Sequence, residues 1–127
     1  QNAINARIFM KALFDEYLGG IDGIDAVFDA KNVNAGVDEY WDRTDANKEA
    51  FRRYMNEMYS YLHDKYDVEV EMWGAMEVLK GNTKVNNNII LNMLQRTVRV
   101  RDWQKASVLS MYRRHIFIIH LDVITKI

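Results

Sequence analysis

No proline occurs anywhere in the 127 residues of this chain. Proline breaks helices and punctuates the tight turns of β-rich folds, so its complete absence points to long uninterrupted helices. The apolar spacing agrees. Asn2 to Leu18 carries Ile4, Ile8, Phe9, Ala12, Leu13 and Tyr17 at helical steps, and Gly19-Gly20 then offers a left-handed cap. Thr44 or Asp45 can cap a second helix, in which Phe51, Tyr54, Met55, Met58, Leu62 and Tyr66 recur every three or four residues. From Asp102 to Ile127, Leu109, Tyr112, Ile116, Ile119, Val123 and Ile127 form a third stripe that Phe117 and Ile124 widen, which predicts a buried central helix.

Between these segments the pattern is less regular. Asp22 to Asn32 is broken by Gly23 and has room for one helical turn around Asp25–Ala30; Asn32 to Val37 contains Asn34 and Gly36 and reads as a loop. Asp67 to Gly81 reads as a helix: Asp67 caps it, Glu69 and Glu71 sit in its first turn, Met72, Ala75, Met76 and Leu79 form its stripe, and Lys80-Gly81 closes it. The same stretch also alternates as a strand from Val68 to Met72, as do Thr97 to Arg101, and pairing them would set Glu69 and Glu71 opposite Arg99 and Arg101. The helix is preferred for the first stretch because its caps agree at both ends; residues 96–101 stay open between helix and strand. The expectation is a single all-α domain over residues 1–127, a compact bundle of five or six helices with the C-terminal helix buried at its centre.

Charge is divided along the chain. Residues 1–79 hold sixteen acidic and eight basic side chains, residues 80–127 nine basic and two acidic, so a net charge of −1 conceals a dipolar molecule. Such a field can recruit a polyanion or a second copy docked head to tail. The basic side chains Arg96, Arg99, Arg101, Lys105, Arg113 and Arg114 make a broad positive surface suited to a protein partner or to phosphates, with Trp103 and Tyr112 near enough in sequence to stack on bases. The bland alternative is that these bases neutralise acidic helices of the same molecule, and a pI near 6.3 lies well below that of a dedicated nucleic-acid domain. Trp41, Tyr59 and Trp73 are candidates for an aromatic interaction patch, with Tyr59 pointing away from the core stripe of its helix.

Signatures of chemistry are missing. With no Cys there is neither a disulfide framework nor a thiolate metal site. His115 and His120 are five apart and do not share a helix face, and the Glu-x-x-His pattern of di-iron bundles does not occur. Ser60, Ser107 and Ser110 lack a Gly-flanked elbow, and Lys80 to Lys84 lacks the glycines of a phosphate cradle. The acidic loops (Asp15, Glu16, Asp22, Asp25 and Asp29, then Asp38, Glu39, Asp42 and Asp45) do not match the twelve-residue calcium loop. No signal peptide and no run of about 20 apolar residues appears. The abundance of Asn, Asp, Ile, Tyr and Met suits an AT-rich genome, which viruses and phages often have and many bacteria share; a viral or phage source is the expectation. The expected function is therefore that of a soluble, non-enzymatic interaction or assembly protein without cofactor or metal, associating through its split charge; nucleic-acid binding through residues 96–114 is the alternative.

Overall fold

The computed structural model describes residues 2–36, 44–73, 79–93 and 96–102. These form α1 (Asn2–Gly19), β1 (Asn32–Asn34), α2 (Asp45–Tyr66), β2 (Glu69–Trp73), β3 (Ile90–Met93) and β4 (Arg96–Arg99). The architecture is mixed helix and sheet, which corrects the expected all-α helical bundle of five or six helices. The supposed central helix falls almost wholly on residues 103–127, outside the described residues.

Helix α2 follows its sequence pattern. Thr44 is extended at its N-cap, and its side chain accepts from the Asn47 amide at 3.3 Å. Phe51, Met55, Met58, Leu62 and also Tyr59 are buried. The helix stops at Asp67, whose left-handed conformation (φ 51°, ψ 40°) lets its N–H donate to the His63 carbonyl at 2.9 Å. Asp67 therefore ends one helix instead of starting another. Downstream the β-branched alternation prevails over the capping pattern, because tertiary burial decides it: Val68, Val70 and Met72 enter the core, while Glu69 and Trp73 are exposed.

The sheet order is β1-β2-β3-β4, with β1, β2 and β3 parallel and β4 antiparallel to β3. Parallel neighbours require a long crossover, and α2 supplies the one between β1 and β2. One sheet face contributes Val70, Met72 and Leu91 to a core shared with α2, and Met10, Phe14 and Leu18 of α1 pack on its margin. The other face carries polar side chains. There Glu71 accepts from the Asn92 amide group at 2.8 Å and from that of Asn32 at 3.2 Å, and Arg99 reaches Glu69 at 2.5 Å. The first alternating segment is thus a strand, and the second is one as far as Arg99, with Val100 and Arg101 turning helical; β3 lies between the two strands.

The segment entering β3 is fastened to α2 through its backbone. Arg52, only 2% exposed, donates to the Lys80 carbonyl at 2.8 Å and pairs with Glu49. Glu49 in turn accepts from the amides of Asn82 (2.6 Å) and Thr83 (3.0 Å). Asn56 donates to the Lys84 carbonyl at 2.9 Å and accepts from the Asn86 amide at 2.8 Å. A Cβ on Gly81 would lie 2.0 Å from an Arg52 guanidinium nitrogen, so glycine is what permits this approach. The loop amides of Asn82 and Thr83 are occupied by the Glu49 carboxylate and are not open to a phosphate.

Candidate interaction surface

Helix α1 forms where its sequence places it but turns the opposite face inward. Ile4, Ile8 and Phe9, the start of the predicted core stripe, are 53%, 62% and 64% exposed. Met10, Phe14 and Leu18, a second apolar stripe four residues apart, pack inward instead, and polar contacts beside them join α1 to α2. Lys11 and Arg7 reach Glu57 of α2 at 2.7 and 3.3 Å. Asp15 accepts from the Tyr61 hydroxyl at 2.5 Å, from the Lys65 ammonium at 2.7 Å and from the Tyr66 hydroxyl. The Lys11 and Lys65 ammonium groups also stand 5.0 and 5.2 Å from the centre of the Tyr61 ring. Burial works to raise the Asp15 pKa, but the hydrogen bonds from Lys65, Tyr61 and Tyr66 outweigh it and hold the carboxyl below its ordinary value. The Tyr61 and Tyr66 hydroxyls are pushed up, by burial first and then by Asp15. These groups serve as a clip between the helices.

Beyond α1 the chain repeats Gly-Ile-Asp as Gly20-Ile21-Asp22-Gly23-Ile24-Asp25. Ile21 and Ile24 exchange backbone hydrogen bonds of 3.2 and 2.8 Å across Asp22 (φ 50°) and Gly23 (φ 81°). Two positive φ angles at the centre of a tight turn are the reason Asp-Gly suits it, and this dipeptide was the available signal for it. Gly20 is equally constrained: at φ 77°, an added Cβ would sit 2.1 Å from the Ile24 carbonyl oxygen. The turn holds Ile21 and Ile24 out at 49% and 69% exposure. Val27 and Phe28 follow at 58% and 56%, with the Phe28 amide donating to the Tyr17 carbonyl at 3.0 Å and the two rings edge to face at 5.7 Å. Asp22, Asp25 and Asp29 are exposed between these residues and make no ion pair among the described residues. The result is an apolar surface studded with carboxylates. Beside it, a groove of about 550 Å³ opens between the end of α1, residues 27–30 and β1.

The residues singled out in the sequence are not gathered in one place. Arg99 is on β4, bonded to Glu69 and, at 3.0 Å, to the Asn88 carbonyl. Arg96 begins the same strand, and Arg101 lies past its end, exposed and 3.6 Å from Asp102. Lys105, Arg113, Arg114 and Trp41 lie outside the described residues. Tyr59, expected to be partly exposed, is 7% exposed and stacked on His63, while Trp73 is exposed at the end of β2. Sequence reasoning missed the outward face of α1 and the 20–29 segment as a surface.

Among the described residues no group of three or more His, Cys, Asp or Glu side chains is arranged to hold a metal ion, and no helix is long and apolar enough to cross a membrane. Comparison with protein-family models, curated proteins and solved structures finds no match to this chain. Nothing in these comparisons supports the viral or phage source expected from composition.

Proposed function

We propose that this chain is a non-enzymatic assembly protein whose N-terminal acidic–apolar surface docks on the basic C-terminal half of a second copy. One observation supports it most: Ile4, Ile8, Phe9, Ile21, Ile24, Val27 and Phe28 are all between 49% and 69% exposed within one stretch of chain, with Asp22 and Asp25 among the last four and Asp29 directly after them. So many exposed apolar side chains favour a protein partner over solvent, and the carboxylates select for a cationic one. The chain itself offers such a surface, since residues 80–127 hold nine basic side chains against two acidic ones. Two different patches meeting head to tail close into a ring or extend into a filament.

Light scattering across a salt series tests this. At low salt the mass is expected to exceed the 15.0 kDa of one chain, and to fall as salt screens the charges. A monomer at every salt concentration would sink the proposal. Nucleic-acid binding through residues 96–114 is the second reading; of its basic side chains Arg99 is engaged by Glu69, while Arg101 is exposed. Mass that rises only when a single-stranded oligonucleotide is added would move the function there.

A further inference from the structure

Among the described residues, no strand pairs with the outer edge of β1. Its ladder to β2 uses the Lys31 carbonyl, which accepts from the Glu69 amide at 2.9 Å, and the Ala35 amide, which donates to the Glu71 carbonyl at 2.8 Å. Backbone groups alternate sides along a strand, so the N–H and C=O of Val33 also face β2, and those of Asn32 and Asn34 face outward. Both asparagines are exposed. Neither outward position carries the charge or proline that commonly guards an edge.

This edge forms one wall of the groove described above. Phe14, Tyr17 and Leu18 from the end of α1 line another side, with Val27, Phe28 and Asp29 completing it. Two outward donors and two outward acceptors at strand spacing suit an extended backbone. Apolar and aromatic walls suit an apolar side chain. Asp29 in the lining, with Asp22 and Asp25 on the same connection, suits cations on either side of it. A second copy's β1 is a poor occupant, since it forms part of the same walled groove and presents asparagine at both outward positions.

We propose that the β1 edge and its groove bind an extended segment of a separate partner protein by strand addition. The segment places an apolar residue in the groove and carries Arg or Lys on each side of it. The proposal shares Val27, Phe28 and the carboxylates of Asp22, Asp25 and Asp29 with the assembly reading, but it alone requires the backbone edge of β1. Peptide binding can survive the loss of self-association, and self-association the loss of peptide binding, so the two fail separately.

The test is a fluorescence titration of the full chain with capped synthetic pentapeptides. Lys-Val-Phe-Val-Lys is expected to bind, and Glu-Val-Phe-Val-Glu to bind at least tenfold more weakly. Two backbone N-methylated forms of the basic peptide, one blocked at both valines and one at the phenylalanine, probe the strand period. One should lose binding and the other keep it, because alternate amides face the edge. On the protein, Asn34→Pro removes an outward donor and the side-chain bond to the Gly36 amide while leaving the backbone groups paired with β2, and should weaken binding at least tenfold. If that variant does not fold, Phe28→Ala tests the groove wall in its place. Equal binding by both N-methylated forms, or no binding by the basic peptide, overturns the proposal. Binding that disappears as protein concentration rises and dimers form would make a second copy the occupant, and overturns it too.

Discussion

Replacing Arg52 with alanine is expected to destabilise the fold by about 3 kcal/mol or more, because one partner of a buried, hydrogen-bonded charge pair is removed. Arg52 is 2% exposed, and its guanidinium joins α2 to the Lys80 carbonyl and to Glu49. Without it the segment leading to β3 loses one of its ties, and the sheet is weakened between its second and third strands. Lysine should rescue little, since a single ammonium cannot reproduce the planar fork. Urea unfolding of Arg52→Ala and Arg52→Lys checks this; a midpoint unchanged in both would refute it. The same anchor shapes acid stability. The Thr83 side chain and Arg52, then the amides of Thr83 and Asn82, pull the Glu49 carboxyl from 4.5 down to about 2. A carboxyl more acidic in the folded state stabilises the fold above its unfolded pKa. That stabilisation is therefore full above about pH 4.5 and is lost as pH falls toward 2.

The second large effect concerns association. Changing Ile8 and Ile24 together to serine is expected to weaken self-association at least tenfold while leaving thermal unfolding nearly unchanged. Both side chains are more than 60% exposed in the single chain, so the fold gains little from them. In an interface each would bury an aliphatic side chain, worth roughly 1.5–3 kcal/mol, and tenfold corresponds to only about 1.4 kcal/mol. Serine adds no charge, so a loss of association reports the apolar contribution alone. Sedimentation at low salt provides the check; equal association by wild type and variant would place the interface elsewhere.

What could be read from the sequence, and what could not, follows from the range of the forces involved. Helix α2 was legible almost to the residue, because its cap at Thr44 and its stripe of Phe51, Met55, Met58 and Leu62 are local and agree. Helix α1 was legible as a helix but not in its orientation. The helix carries two apolar stripes, and Met10, Phe14 and Leu18 face the core where the Asp15 clip and the ion pairs to Glu57, joining residues far apart in sequence, can also form. Strand β2 was misread because Asp67 suits both a helix start and a left-handed helix end; only burial of Val68, Val70 and Met72 against α2 decides between them. Strand β1 was read as a loop because Asn32 and Asn34 are poor strand formers in isolation, and pairing with β2 makes the strand. The candidate surface was hidden for the same reason as the orientation of α1. Apolar residues at helical spacing look alike whether they face a core or a partner.

The central claim is that residues 4–28 form a docking surface, and amide hydrogen exchange read by mass spectrometry tests it most directly. The full chain would be compared at low salt between a dilute and a concentrated solution. Few amides of the 20–30 connection are held by backbone hydrogen bonds, so their exchange responds strongly to being covered. Slower exchange there at the higher concentration, reversed by added salt, is the predicted result. Exchange unchanged across this connection, with protection arising only in other segments, would contradict the account.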